Sequence, residues 1–258
     1  MPLALKTYPT IAEAGSALKQ SDARYLGGGT LVVRAANEGD VSFSTFVRSN
    51  DPALSAITVD DGRAKIGASV TMSAIASHPG LQPIAKAARS VGGPAIRNMA
   101  TVGGNLFAAT PYGDFAVALL ALDATIHTTD GEQAIDEFLS AREGRVVSAV
   151  SFAVPAAEEF RFSKVSRIKP KGVSVLSIAA LVDVEAGKIK DARIALGCMA
   201  DRPIRARAAE KALAGATLTD EGIAPAVAAI GEGIRPATDA VASSWYRGEV
   251  LPVHFRRL

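Results

Sequence analysis

The stretch IRNMATVGGNL, residues 96–106, contains two adjacent glycines, Gly103 and Gly104, between the hydroxyl of Thr101 and the carboxamide of Asn105. Adjacent glycines let the backbone adopt positive φ angles and turn successive N–H groups toward one point. A concavity lined by such N–H groups binds anions, phosphate among them. The stretch therefore predicts a glycine loop that holds a negatively charged group.

A second glycine run, LGGGTL at residues 26–31, follows a predicted short strand that ends at Leu26. It lacks the Gly-Lys-Ser/Thr of a P-loop, and Val32 breaks the G-x-G-x-x-G spacing of dinucleotide-binding folds. Alone, the run is typical of a plain connecting turn. Together, the two runs could each hold one phosphate of a diphosphate, so the residues themselves indicate a dinucleotide or diphosphate binder.

Asp114 stands nine residues after Asn105, immediately before a predicted buried helix over 115–122. Its carboxylate could accept hydrogen bonds from a ribose. It could also accept them from backbone N–H groups as a helix N-cap, which is the commoner role for aspartate at such a position. Both roles stay open on the residues alone.

Composition excludes several classes of protein. The chain has 258 residues, of which 48% are hydrophobic and 21% charged, and this balance predicts a folded core rather than disorder. The 28 Lys and Arg residues against 26 Asp and Glu leave a charge of +2, too small for a nucleic-acid specialist. Cys198 is the only cysteine and the three histidines show no ligand spacing, so we predict no metal or iron–sulfur site on this chain.

The N-terminal residues show no charged leader followed by a sustained apolar stretch, so no signal peptide is predicted. The longest purely apolar run, Ala116 to Leu122, is far too short to cross a bilayer. We therefore expect a cytoplasmic protein.

Strand and helix patterns divide the chain into two predicted domains, 1–158 and 159–258. The first is expected to contain subdomains at about 1–53 and 54–158, with a hairpin turn at Asp61-Gly62 in the second. Beyond Pro155 the pattern changes, because three strand candidates precede two alanine-rich helices. That order predicts a C-terminal α+β domain with a three-stranded antiparallel sheet plus helices. The predicted strands are 160–168, 173–184 and 188–196, and the predicted helices 204–213 and 221–230.

The stretch 96–106, continued by ATPYGD at 109–114 and LLALDA at 119–124, closely resembles the FAD-binding (medium) subunit of molybdenum hydroxylases. This is the xanthine dehydrogenase and carbon monoxide dehydrogenase family. LGGGTL at 26–31 is similar to the first FAD loop of the family, and the resemblance spans essentially the whole chain. In the C-terminal third it is carried by Lys164–Arg167, Arg193–Gly197, Arg202–Ala206 and Tyr246-Arg247.

The resemblance implies an α+β fold: a two-subdomain FAD-binding module of the PCMH/vanillyl-alcohol-oxidase-like type, followed by a smaller α+β domain. It implies that the two glycine runs carry the FAD diphosphate and that Asp114 belongs to the same shell. Val91 falls where the family lines the flavin, Val147 near a position whose backbone approaches the isoalloxazine ring, and Lys164 on a family FAD contact. A solvated strand lysine is the alternative for Lys164. The implied FAD-binding residues are Leu26, Gly27, Gly28, Gly29, Thr30, Leu31, Val91, Thr101, Val102, Gly103, Gly104, Asn105, Asp114, Val147 and Lys164.

The sequence departs from the family at two places. Gly29 stands where relatives often carry a side chain, and the stretch 138–147 is shorter than in relatives. The second departure bears directly on the assignment of Val147.

The function implied by the resemblance is electron transfer. Electrons would pass from the [2Fe-2S] clusters of a small partner subunit through FAD to NAD or another acceptor, after hydroxylation at a molybdopterin cofactor in a large subunit. The assembly would be a heterotrimer or its dimer, and no residue of this chain would act as a catalytic acid or base, because the flavin carries the redox chemistry. Two alternatives stay open: a free-standing FAD-dependent oxidoreductase with its own substrate pocket, and an assembly module that has lost its flavin.

Overall fold

Three sheets organise the chain in the computed structural model, which describes residues 3–20, 22–142, 144–168 and 172–258. They have three, five and four strands in chain order. The first two lie before residue 154 and the third begins at Phe160. The division into domains 1–158 and 159–258 stays a prediction.

The first sheet is parallel and holds β3 (Thr45–Ser49) between β1 (Ala4–Tyr8) and β2 (Ala23–Tyr25). Helix α1 (Ile11–Gln20) packs Ala14 against this sheet. The helix begins at Ile11, because Thr10 and Glu13 form a capping box at its start. In it the Thr10 N–H donates to Glu13 Oε2 over 3.1 Å, and the Glu13 N–H donates to Thr10 Oγ1 over 3.2 Å.

The second sheet is antiparallel, in the order β4-β5-β8-β6-β7. Its first hairpin turns at Asp61 and Gly62, which have φ angles of +46° and +71°. Two successive positive φ angles are the signature of the Asp-Gly hairpin turn that the sequence predicts. The strands are β4 (Ile57–Asp60), β5 (Arg63–Gly67), β6 (Thr125–Thr128), β7 (Gly131–Ala134) and β8 (Val147–Ala153).

Helices cover this second sheet and meet at a central helix, α7 (Asp114–Ala121). All eight residues of α7 are buried, as expected for a helix that is apolar on almost every side. Its neighbours include the N-terminal helices and the C-terminal sheet. The other helices of this region are α2 (Val32–Asn37), α3 (Met72–Ser77), α4 (Ala85–Ser90), α5 (Pro94–Arg97), α6 (Val102–Leu106) and α8 (Ile135–Ser140), with 3₁₀ turns at Pro52–Ser55 and Pro79–Ile84.

The third sheet is antiparallel and four-stranded, in the order β12-β11-β10-β9. The three predicted strands are present, but the three-stranded sheet was an incomplete prediction. Ile204 pairs with Leu196 and adds a two-residue strand, so the helix predicted from Ile204 begins only at Arg207. The strands are β9 (Phe160–Ser166), β10 (Ser174–Glu185), β11 (Lys188–Gly197) and β12 (Ile204–Arg205).

One face of the third sheet contributes Phe160, Phe162, Ala179 and Ala195 to the core around α7. The other face packs against three C-terminal helices and forms a second core with Leu251 and other apolar residues. Residues of the N-terminal and C-terminal parts therefore pack together in the core around α7, whereas the second core consists of C-terminal residues. The C-terminal helices are α9 (Arg207–Leu213), α10 (Asp220–Ala229) and α11 (Ser244–Arg256).

Within the described ranges, no helix combines the length and the apolar composition needed to cross a membrane. Among the same residues, no group of His, Cys, Asp and Glu side chains is arranged to hold a metal ion.

Candidate functional site

The first glycine run leaves β2 and turns into α2. The Leu26 N–H donates to the Val47 carbonyl over 2.7 Å, which fixes the start of the run to β3. Gly29 adopts a φ of +73°, and its carbonyl accepts the Val33 N–H over 3.0 Å. Strand pairing on one side and a helical turn on the other therefore hold this run in place.

The backbone N–H groups of residues 27–31 take no part in the hydrogen bonds that hold this run. Among the described residues, those of 27–31 have no hydrogen-bond partner in the chain. The run lies at the surface, with Gly27 exposed and the rest half-buried. Clustered backbone N–H groups that no protein group satisfies can form an anion-binding site.

The second glycine run does not form a loop. It is the first turn of α6, with Thr101 as the N-cap and its Oγ1 accepting the Gly104 N–H over 3.1 Å. The Val102 and Gly103 N–H groups donate to the carbonyls of Val70 and Ala68, over 3.0 and 2.9 Å. The interpretation of this stretch as a second set of free amides is therefore wrong, because these three donors already have partners inside the protein.

The two glycine runs nevertheless lie against each other. A Cβ on Gly28 would overlap the carbonyl oxygen of Met99, so only glycine permits this approach. A Cβ on Gly27 would lie 3.0 Å from Thr101 Oγ1, and one on Gly104 would lie 3.1 Å from the same atom. Gly27 and Gly104 are both exposed and flank the Thr101 hydroxyl. The free amides of 27–31 thus border a surface without side chains at the start of α6.

Asp114 and Lys164 form a buried ion pair across the two parts of the chain. Lys164 Nζ lies 2.8 Å from Asp114 Oδ2, with side-chain exposures of 12% and 7%. Ser174 Oγ donates to the other carboxylate oxygen over 2.6 Å, and Lys164 Nζ also donates to the Ser90 carbonyl over 2.9 Å. The N-cap role for Asp114 is wrong, since Gly113 is the N-cap residue of α7. A solvated lysine at 164 is equally wrong.

The Cys198 thiol is buried next to this ion pair. Cys198 Sγ lies 3.6 Å from the Ser174 carbonyl oxygen and is itself buried. Desolvation, followed by the negative charge of Asp114, raises the pKa of Cys198 to about 12. The thiol is therefore protonated at neutral pH and packs as a small apolar group.

Three further predicted site residues lie around this framework. Asn105 is buried, and its Oδ1 accepts the Ala116 N–H over 2.9 Å, which fastens α6 to α7. Val91 is half-buried at the end of α4. Val147 begins β8 opposite Thr128, and its side chain is buried in the core. Val147 can therefore reach a ligand only through its backbone.

Sequence reasoning missed Ser90 and Ser174, the two residues that complete the contacts of Asp114 and Lys164. Ser174 lies 60 residues from Asp114 in the chain, and Ser90 lies 74 residues from Lys164. No local pattern marks such long-range partners. A serine at a buried strand position of β10 was the only available signal, because a buried hydroxyl needs a hydrogen-bond partner.

Two histidines have local partners away from the glycine runs. His127 lies between Glu132, 2.9 Å from Nδ1, and Ser151 Oγ, 2.9 Å from Nε2. His78 Nδ1 accepts the Gly80 N–H over 3.2 Å. Both contacts are of the kind that fix strands and turns. The geometry thus supports an anion-binding surface at 27–31 rather than an acid–base centre built on these imidazoles.

Two protein-family models match almost all of the chain. The "FAD binding domain in molybdopterin dehydrogenase" covers residues 6–152, and the "CO dehydrogenase flavoprotein C-terminal domain" covers 161–258. The chain therefore belongs to the family of FAD-binding subunits of molybdenum hydroxylases. The resemblance and the FAD cofactor inferred from the sequence are confirmed.

Curated relatives agree with this assignment. The chain is 30% identical over 177 residues to the glyceraldehyde dehydrogenase medium chain of Sulfolobus acidocaldarius, a match that covers 65% of this chain and 63% of that protein's length. It is 28% identical over 258 residues to the putative xanthine dehydrogenase FAD-binding subunit of Escherichia coli K12, covering 92% of this chain and 88% of the relative.

Among solved structures, a carbon monoxide dehydrogenase from Hydrogenophaga pseudoflava has a chain that superposes with a TM-score of 0.91 at 24% identity. That match covers 100% of this chain and 96% of the other. The predicted fold class, an FAD-binding module followed by a smaller α+β domain, is thereby confirmed.

Proposed function

We propose that this chain is the electron-transfer subunit of a heteromeric molybdenum hydroxylase. Its FAD would receive electrons from iron–sulfur clusters of a small partner and pass them to NAD or another external acceptor. A large partner would carry molybdopterin and the substrate site. The assembly would be a heterotrimer or its dimer, catalytic only as a complex and located in the cytoplasm. Relatives that are themselves named medium chains or FAD-binding subunits support this division of labour.

The cysteine content supports placing the clusters elsewhere. A [2Fe-2S] cluster takes four protein ligands, mostly cysteine thiolates. Cys198 is the only cysteine of the sequence, and its thiol is buried and protonated at neutral pH. This cysteine content supports the proposal that electrons reach this chain from clusters held by another polypeptide.

The observation that carries the proposal is the row of backbone N–H groups at 27–31 that have no partner among the described residues. The diphosphate of FAD brings two negative charges, and unpaired amides at the surface stabilise such charges without desolvating a side chain. The exposed glycines Gly27 and Gly104 let a ligand approach the backbone closely. The residues present thus fit the diphosphate of FAD.

The remaining roles follow from what each group contacts. When bound, FAD supplies the redox chemistry, and the protein supplies position and electrostatics. The amides of 27–31 would hold the diphosphate, and Thr101 would orient the start of α6 beside it. The ion pair of Lys164 and Asp114 would hold β9 against α4 and α7. This contact lies next to Val91, which would line the flavin. The full set proposed to contact FAD is Leu26, Gly27, Gly28, Gly29, Thr30, Leu31, Val91, Thr101, Val102, Gly103, Gly104, Asn105, Asp114, Val147 and Lys164.

A flavin titration of the purified chain tests the proposal. The wild-type chain should bind FAD with an intense visible spectrum, and Gly28→Ala should bind it at least tenfold more weakly, because a Cβ there would push the amide run away from Met99. Gly231→Ala is the matched control, since a Cβ at Gly231 meets no atom within 4 Å and its φ is not positive. A wild-type chain that binds no FAD would refute the proposal.

Partner subunits are tested separately by purification of the tagged chain from its native host. We expect two co-purifying polypeptides, with iron and molybdenum in the complex. A chain that purifies alone with FAD and oxidises a small molecule without partners would instead establish a free-standing FAD-dependent oxidoreductase.

A further inference from the structure

The Arg97 side chain donates hydrogen bonds to three backbone carbonyls at the end of α4. Its Nη1 lies 3.0 Å from the oxygen of Arg89, 3.4 Å from that of Val91 and 2.7 Å from that of Gly92. The last carbonyls of a helix have no partner inside the helix and carry the negative end of its dipole. Arg97 thus supplies donors and a positive charge where α4 ends.

The same residue holds the turn that follows α4. Gly92 has a φ of +53°, and a Cβ on it would lie 2.7 Å from Ile96 Cγ2. This close approach folds the turn back onto α5, whose last residue is Arg97. The Val91–Gly93 segment therefore takes its conformation from Arg97 and from the absence of a side chain at Gly92.

Arg97 also stands between the two regions proposed to contact FAD. On one side lies Val91, the predicted flavin-lining residue. On the other side lies Met99, two residues further along the chain. Its carbonyl oxygen packs directly against Gly28, one of the residues 27–31 whose amides have no partner. The Ala100 N–H returns to the Ile96 carbonyl over 2.7 Å, which ties this end to α5 as well. A single short helix thus links the flavin-lining turn to the diphosphate site.

The charge of Arg97 is not cancelled by a carboxylate. Among the described residues, the ion pairs do not include Arg97, and the hydrogen bonds of its side chain all go to carbonyl oxygens. Two other cations lie at this end of α4: Lys164 is paired with Asp114, and Arg89 donates to the Ala76 carbonyl. Arg97 is therefore the cation whose side chain contacts the carbonyls of the Val91–Gly93 turn.

We propose that Arg97 is a positioning residue for FAD. It fixes the Val91–Gly93 turn that would line the flavin, and its charge favours reduction, because added electrons make the flavin more negative and a nearby cation stabilises that charge. This inference rests on the proposed FAD function.

Three variants test the inference in the FAD-loaded chain. Arg97→Gln removes the charge and two of the donor groups, and should bind FAD at least tenfold more weakly. It should also shift the reduction equilibrium of the flavin at least tenfold toward the oxidised form, about 30 mV for a two-electron couple. Arg97→Lys keeps the charge but not the fork of donors, and should retain the wild-type potential while binding FAD several-fold more weakly.

Arg89→Gln is the matched control. Arg89 lies on α4 and its Nη2 donates to the Ala76 carbonyl over 2.7 Å, so this variant also removes an arginine–carbonyl contact, but one at the end of α3. It should keep the wild-type FAD affinity and flavin potential. An equal effect of Arg89→Gln and Arg97→Gln would reduce the role of Arg97 to general stability and overturn the inference.

Folding is checked by far-UV circular dichroism before each titration. A folded Arg97→Gln chain with wild-type affinity and potential overturns the inference. If Arg97→Gln does not fold, a folded Arg97→Lys chain with unchanged FAD affinity overturns it instead. A wild-type chain that fails to bind FAD would refute the proposed function. If the wild-type chain binds FAD and Arg97→Gln binds it with the same affinity and flavin potential, only this inference is refuted.

Discussion

Lys164 Nζ lies 2.8 Å from Asp114 Oδ2, and both side chains are almost fully buried. The lysine belongs to the C-terminal sheet and the aspartate to the central helix of the N-terminal part. Burying two charges is costly, and the cost is offset only where other hydrogen bonds complete their surroundings. Here Ser174 Oγ and the Ser90 carbonyl do so. The pair therefore fixes the relative position of the sheet and the helices beside the proposed flavin site.

Replacing Lys164 by methionine should destabilise the chain by about 3–5 kcal/mol, because Asp114 would be left as an uncompensated buried charge. The free energy of unfolding, measured by urea denaturation, checks this value. The double variant Lys164→Met/Asp114→Asn should lose less than the sum of the two single variants, since they act on one interaction.

Lys19→Met provides the control for an exposed pair. Lys19 Nζ lies 3.1 Å from Asp130 Oδ1, with side-chain exposures of 59% and 46%. Loss of this pair should cost no more than about 1 kcal/mol. Equal costs for the Lys19 and Lys164 variants would contradict the structural role assigned to the buried pair.

Local sequence signals predicted those parts of the fold that depend on neighbouring residues. The Asp61-Gly62 turn was predictable because its two positive φ angles suit aspartate and glycine. The buried helix near Phe115 followed from its unbroken apolar run. Strand β1 was not recognised, since its residues are almost all exposed and show no alternation of buried and exposed positions.

The candidate site was only partly predictable. The free amides of residues 27–31 follow from the glycines of that run, whereas α6 does not follow from Gly103 and Gly104, which are poor helix formers. That helix starts there because the carbonyls of Ala68 and Val70 receive its first amides. Such partners come from a distant segment of the chain and leave no mark on the local sequence.

Thr101→Val should destabilise the chain by about 1–2 kcal/mol, because it removes the N-cap of α6 and leaves the Gly104 N–H without its acceptor. Thr101→Ser keeps the hydroxyl and should lie within about 0.5 kcal/mol of wild type. Thermal and urea unfolding of the three chains check this order. A valine variant as stable as wild type would contradict the capping role assigned to the Thr101 hydroxyl.

Asp239 is the partner of the fully buried Arg247, whose Nη2 lies 3.0 Å from Asp239 Oδ2. Burial by itself would raise the pKa of Asp239. Hydrogen bonds from the Ala242 N–H, the Arg247 guanidinium and the Val241 N–H outweigh burial, and the pKa lies below its usual 3.8. A carboxylate with a lowered pKa in the folded state stabilises the protein above the unfolded pKa, and this contribution is lost as the pH falls below about 4 toward the folded pKa.

We expect the wild-type chain to lose stability as the pH falls, and we expect Asp239→Asn to lack this part of the loss. At pH 7 this variant should be less stable than wild type by about 1–3 kcal/mol, since the buried Arg247 loses its hydrogen bonds to a partly exposed carboxylate. Between pH 5 and 3 its free energy of unfolding should fall less steeply than that of wild type. Urea denaturation across this pH range checks the slope, with Asp130→Asn as the control at an exposed ion pair. Parallel slopes for Asp239→Asn and wild type would contradict the assignment.

The reactivity of the Cys198 thiol tests whether this residue is buried in solution. Its pKa of about 12, raised first by desolvation and then by the charge of Asp114, leaves almost no thiolate in the folded chain at pH 8. An unfolded cysteine has a pKa of about 8.5. Because only the thiolate attacks, a disulfide reagent such as DTNB should modify the native chain at least about a thousandfold more slowly than the urea-unfolded chain.

The same difference in pKa makes stability depend on pH. Because the pKa of Cys198 is higher in the folded chain than in the unfolded chain, the protonated thiol stabilises the folded state fully below about pH 8.5. This stabilisation is lost as the pH rises toward 12. Cys198→Ala should therefore show a shallower decline of the free energy of unfolding between pH 9 and 11 than wild type. Rapid labelling of the native thiol at pH 8, or identical alkaline slopes in the two chains, would show that the region around Ser174 and Asp114 opens to solvent. The buried contacts that join the C-terminal sheet to α7 would then not persist in solution.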